Sequence, residues 1–116
     1  MKSKVSCQVR IMVGNGLGMG PGKAAMLRAI RETRSINAAG KKFGMSYRRA
    51  WLLVEEMNNL FDAPLVTARR GGAGGGGAEV TGLGERVMKS YSDLEQLVTK
   101  SPQFRAISRM LQQPPD

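Results

Sequence analysis

A chain of 116 residues with 41% apolar content can bury one modest core and not two. One cysteine, Cys7, and no histidine exclude an intrachain disulfide and any Cys/His metal site, a usage that suits a reducing cytoplasm. The net charge of +9 is lopsided, with eleven Lys/Arg against one acid in residues 1–54 and seven against eight in residues 55–116, so the positive field points to a polyanion, nucleic acid before anionic membrane.

Lys4–Val13 alternates almost strictly (Val5, Cys7, Val9, Ile11 and Val13 against Lys4, Ser6, Gln8, Arg10 and Met12), the period of a half-buried strand. That alternation excludes the apolar core of a signal peptide, and no run approaches the roughly 20 apolar residues of a membrane span. GNGLGMGPGKAA (14–25) is no nucleotide loop. A Walker A loop needs glycine five residues before the Gly-Lys pair, where Leu17 stands, and Ser or Thr after the lysine, where Ala24 stands. The G-x-G-x-x-G pattern fails from every start, so the segment is expected to be a turn leading to a helix.

Helix one is expected over 22–34, with Met26, Leu27 and Ile30 as its apolar stripe. Helix two follows over 36–43 with Ser35 as N-cap, and Ile36, Ala39, Gly40 and Phe43 share one narrow face. Gly44 suits a left-handed cap and Ser46 an N-cap, so helix three restarts over 47–61. Ala50, Leu53, Val54, Met57 and Phe61 form its inward stripe, while Arg48, Leu52 and Glu55 point away, with Arg49 and Trp51 on the flanks. A short helix, a tight glycine turn and a longer helix over 36–61 are a helix-turn-helix pattern. Two arginines in the first turn of helix three oppose the macrodipole, yet they suit a helix end that meets phosphate and base edges.

ARRGGAGGGGAEVT (68–81) holds six glycines in positions 71–77. Too few residues follow for a second ordinary core, so an interdomain linker is disfavoured. Strand-compatible PLVTARR (64–70) and AEVT (78–81) make the run the tip of a hairpin, a wing over 64–81. Glycine there lets a loop follow a nucleic-acid backbone, with Arg69 and Arg70 at its base. Thr81 caps a helix expected over 83–100, whose stripe is Leu83, Val87, Tyr91, Leu94 and Val98. Pro102 is expected to break it, and Phe104, Ile107 and Leu111 to mark a final short helix, the C-terminal helical region spanning 83–113 before Pro114-Pro115. Leu83, Val87, Tyr91, Leu94, Val98, Phe104 and Ile107 are a candidate dimer interface, intramolecular packing being the alternative.

GPGKAAMLRAIRETRSINAAGKKFGMSYRRAWLLVEEMNNLF and LVTARRGGAGGGGAEVTGLGERV resemble the N-terminal DNA-binding domain of the ModE family of molybdate-responsive regulators, over roughly residues 5–100. The resemblance implies a mainly α fold with a small β component: one winged helix-turn-helix domain over 1–116, dimeric, in a prokaryotic cytoplasm. It implies that Ser46, Tyr47, Arg48, Arg49 and Trp51 lie near DNA and that Arg69 and Arg70 flank a wing on the backbone or minor groove. Family members carry molybdate-binding domains after this half. The chain ends at Asp116, so molybdate binding by it is not expected. Arg34 stands where the family has glycine.

The expected function is sequence-specific transcription regulation on double-stranded DNA. Arg48 or Arg49 would pair with guanine and Trp51 and Leu52 would meet thymine methyls, unless Trp51 packs against helix one or two. Lys41, Lys42, Arg69 and Arg70 would hold phosphates. The rival expectation is a partner-binding module on the same scaffold. No nucleophile–base pair or phosphate loop is found, so neither an enzyme nor a cofactor is expected, and six aromatics are few for an RNA-stacking surface.

Overall fold

The computed structural model describes residues 4–72 and 75–111. Two strands, β1 (Ile11–Val13) and β2 (Gly16–Met19), precede three helices, α1 (Pro21–Thr33), α2 (Ile36–Lys42) and α3 (Tyr47–Leu60). A second hairpin, β3 (Val66–Gly72) and β4 (Gly75–Val80), leads to α4 (Gly82–Thr99) and α5 (Pro102–Met110). The chain is therefore mainly helical with two small antiparallel sheets, an arrangement compatible with a winged helix.

The alternation in Lys4–Val13 predicts one strand, but only its last three residues are paired. β1 runs against β2, Met12 opposite Leu17 and Val13 opposite Gly16. The ladder thus occupies the segment expected to be a plain turn, because Gly14, at φ +60°, reverses the chain between short extended arms.

The core is where the helical stripes converge. Met26, Leu27, Ile30, Met57 and Leu65 are fully buried, with Ile36, Ala39, Ala50, Val54, Val66, Ala78, Met88 and Tyr91 around them. Helix one's expected stripe is thus all core, and helix three's divides into buried Ala50, Val54 and Met57 and half-buried Leu53 and Phe61. Phe43 departs from expectation. It is the C-cap of α2 and 46% exposed, because the helix ends one residue before it could turn inward.

Lys23 is buried and donates to the Leu17 carbonyl at 2.6 Å, with Glu56 on α3 at 3.5 Å. The lysine of the Gly-Pro-Gly-Lys run thus ties the first hairpin to α3 instead of reaching for a ligand. Both partners compensate a charge that burial alone would make very unfavourable. Its acid, Glu56, is accordingly half of an ion pair rather than a purely solvated residue.

Pro102 does not merely end a helix; it occupies the first position of α5, where its missing N–H has no helical acceptor to lose, and Ser101 caps the helix through the Phe104 N–H at 3.1 Å. The predicted end of that helix at 112–113 lies outside the described residues. None of the described helices is long and apolar enough to cross a membrane.

Candidate nucleic-acid interface

The α2–turn–α3 unit is fixed by local signals that agree. Ser35 accepts the Ala38 N–H at 3.0 Å and Ser46 accepts the Arg49 N–H at 3.1 Å, capping both helices. Gly44, at φ +71°, makes the left-handed step between them. Gly40 lets the two helices approach, since a methyl group added there would lie 2.7 Å from the Ala50 Cβ.

With its inner face so held, α3 turns its first turn to solvent. Tyr47 is 60% exposed, Arg48 and Arg49 are exposed, and Trp51 is 37% exposed. The Tyr47 and Trp51 rings lie tilted against each other, centroids 6.0 Å apart. No acidic residue stands in that turn. Trp51 is thus only partly covered. It helps to line a concavity of about 400 Å³ bounded by Ser35 and Asn37 at the start of α2, Tyr47 on α3, and Arg69 and Gly77 on the hairpin. Leu52 is 54% exposed on the same helix.

The structure thus brings Tyr47, Trp51 and Arg69 to one concave surface, with exposed Ser46, Arg48 and Arg49 on the same end of α3. Lys41 and Lys42 lie apart in the last turn of α2, Lys42 paired on the surface with Glu32 at 3.2 Å. Arg69 pairs across the hairpin with Glu79 at 3.4 Å, both side chains about half exposed. Arg70 belongs to β3; its side chain lies outside the described ones, as do residues 73–74. The glycines run further into the strands than their composition suggests. Gly72 pairs with Gly75 and Arg69 with Gly77, with a register shift between, so the loop expected over 71–77 is mostly ladder.

Sequence reasoning missed three contributors. Ser35 and Asn37 face the concavity, a placement that needs the hairpin's position to be seen. Asn58 clamps the hairpin to α3: its amide oxygen takes the Leu65 and Val66 N–H groups at 2.9 and 3.1 Å, and its nitrogen donates to the Val66 carbonyl at 2.9 Å. Replacing Asn58 by alanine leaves those strand groups without partners, and should lower unfolding free energy by about 2 kcal/mol in a denaturant titration. An unchanged midpoint would mean that water replaces the amide.

Arg34 ends α1 in the left-handed region at φ +58°, and its carbonyl accepts the Ala78 N–H of β4 at 2.9 Å. A side chain at Gly77 would come within 2.8 Å of that carbonyl. So at least one glycine of the run is required by close backbone approach, where the hairpin is anchored to the helical body.

No protein-family model matches the chain. Individual proteins do. It is 44% identical over 90 residues to the molybdenum-pterin-binding protein MopB of Rhodobacter capsulatus, 78% of this chain and 33% of that one. It is 40% identical over 81 residues to the transcriptional regulator ModE of Yersinia pestis, 70% of this chain and 31% of that one. Against the DNA-binding transcriptional dual regulator ModE of Escherichia coli K12 the figures are 38% over 81 residues, 70% and 31%. The chain is a homologue of the N-terminal, DNA-binding portion of the ModE regulators. It spans about a third of the length of these ModE-type relatives. They are named as regulators or molybdenum-pterin-binding proteins, none as an enzyme.

The candidate dimer stripe splits by burial. Tyr91 is core, its hydroxyl donating to the Val9 carbonyl at 2.6 Å, and Leu83 and Val87 pack on the core. Burial raises the Tyr91 phenol's pKa above its ordinary value, helped by Glu95 and opposed by Arg10 and Arg28, so the phenol stays a donor throughout the neutral range. Further along, Leu94, Val98 and Phe104 are half-buried and Ile107 is exposed. No residue of α5 is buried.

Proposed function

We propose that the chain is a sequence-specific, double-stranded-DNA-binding transcription regulator of the ModE type, acting as a homodimer. α3 enters the major groove, Arg48 or Arg49 reading guanine and Trp51 and Leu52 meeting thymine methyls. The β3–β4 hairpin is the wing, following the adjacent backbone or minor groove with Arg69 and Arg70. Ser46, Tyr47, Lys41 and Lys42 add contacts to phosphate. The observation that carries this reading is the first turn of α3. Two exposed arginines at the positive end of a helix gain nothing from the fold, and the concavity beside them runs to the hairpin. The dimer rests on the apolar surface left over by α5 and the end of α4, where Leu97 is 70% and Met110 74% exposed.

The test is fluorescence anisotropy with DNA from upstream of the chain's own gene against scrambled DNA, at two salt concentrations. Preference of about 10³-fold or more with a steep salt slope is expected. Equal and weak binding to both would favour the rival reading, a partner-binding module, to which the bare apolar face of α5 would then belong. Arg69→Ala should weaken binding to all sequences alike and reduce the slope of log K against log salt by about one. A change confined to one base position would instead make Arg69 a base reader.

A further inference from the structure

Among the described residues three adopt a positive φ, and two of them are glycines, Gly14 and Gly44. The third is Arg34, at φ +58° and ψ +29°. An L side chain is disfavoured there because its Cβ crowds the backbone, and glycine is what helix ends ordinarily place in that conformation.

The backbone of Arg34 makes bonds that glycine would make equally. Its N–H closes α1 on the Ile30 carbonyl at 2.7 Å, and its carbonyl takes the Ala78 N–H at 2.9 Å. The side chain contributes to neither. It is exposed, and among the described residues it enters no ion pair. Arg34 lines a concavity of about 280 Å³ together with Arg31, Glu79 and Glu85. Both acids there are held by other arginines, Glu85 by Arg31 at 3.0 Å and Glu79 by Arg69 at 3.4 Å. The fold therefore carries the strain of a side chain at this position and leaves its guanidinium without an anion.

That guanidinium stands beside the candidate interface. Ser35, the next residue, lines the concavity that holds Trp51 and Arg69, and Ala78 lines both concavities. We infer that Arg34 binds a backbone phosphate of the duplex on the β4 side of the hairpin. It is a positioning contact that extends the footprint past α3 and β3. The inference rests on the DNA reading proposed above and adds a residue to it. Phosphate is the group that fits, since a guanidinium takes its oxygens two at a time and the contact needs charge, not a base edge.

The experiment uses the whole chain and the variants Arg34→Gly and Arg34→Lys. Glycine removes the strain and the charge together, whereas lysine keeps both. Anisotropy on the duplex preferred by the wild type is read across a range of salt, beside a thermal melt of the free protein. Arg34→Gly should raise the melting temperature by about 3 °C. It should also weaken binding about fivefold and reduce the slope of log K against log salt by about one. Arg34→Lys should keep the wild-type slope and melting temperature. The effect of Arg34→Gly on binding should persist beside Glu79→Gln; its disappearance there would mean that Arg34 only offsets Glu79, which overturns the inference. So would an unchanged salt slope in Arg34→Gly, or a fall in its melting temperature, which would make the side chain structural. Failure of the wild type to bind duplex DNA would overturn the regulatory reading and this contact with it.

Discussion

Replacing Arg48 and Arg49 together by alanine is expected to weaken binding to the preferred DNA at least 100-fold while leaving the fold as stable as before or slightly more so. The two effects have opposite signs for one reason. Both guanidinium groups sit in the first turn of α3, exposed and without an acidic neighbour in that turn. There the helix dipole is positive and repels them, by a few tenths of a kcal/mol per charge at an exposed site. Alanine relieves that repulsion and is a good helix former. The cap is untouched, because Ser46 accepts the backbone N–H of residue 49, not its side chain. On DNA the same arginines stand to supply a bidentate contact to guanine worth ~1–3 kcal/mol, with phosphate contacts beside it. A 100-fold loss corresponds to about 2.8 kcal/mol. The measurement pairs anisotropy on a duplex selected by the wild type from a random pool with a thermal melt of the free protein. Unchanged binding would remove α3 from the reading role. A large fall in melting temperature would show that the arginines are structural.

What the sequence made legible is what neighbours in the chain decide. The caps at Ser35 and Ser46, the left-handed Gly44 and the inward Ala50, Val54 and Met57 all follow from spacing within one or two turns. The first hairpin was hidden because Gly16–Met19 carries too few side chains to show an alternation, and glycine-rich strands read as loops for the same reason. Lys23, Asn58 and Arg34 were hidden differently. Each gets its role from a group far along the chain or on another element: Glu56, the start of β3 and the Ala78 N–H. The split of the α4 stripe belongs here too. Periodicity gives Tyr91 and Leu94 the same face, yet Tyr91 is buried with its hydroxyl on the Val9 carbonyl and Leu94 is only half-buried. The site shows the same division, since exposed arginines on α3 were visible in the spacing, whereas the meeting of Ser35 and Asn37 with Trp51 and Arg69 needed the hairpin in place.

The angle between α2 and α3 depends on a single missing methyl group, and Gly40→Ala should make that dependence measurable. The new Cβ would stand 2.7 Å from the Ala50 Cβ, well inside contact distance, between two residues that are both buried. Neither can rotate away, since each clashing atom is fixed to its backbone. The helices must separate, and overpacking of this kind costs ~1–3 kcal/mol. Against it stands the helix preference of alanine over glycine, about 1 kcal/mol, so a net loss of stability means that the clash outweighs that preference. The turn must move as well, because the Phe43 and Met45 N–H groups both bond to the Gly40 carbonyl at 3.0 Å. DNA affinity should therefore fall by more than stability alone explains, with α3 tilted relative to the hairpin. The double variant Gly40→Ala with Ala50→Gly separates the causes. It moves the methyl group across the contact without adding to it, so most of the lost affinity should return although glycine within α3 carries its own helix penalty. A coupling free energy above about 1 kcal/mol between the two sites is expected from such a cycle. Simple additivity would mean that the helices already stand far enough apart to accept the methyl group, and that Gly40 is there for some reason other than close approach.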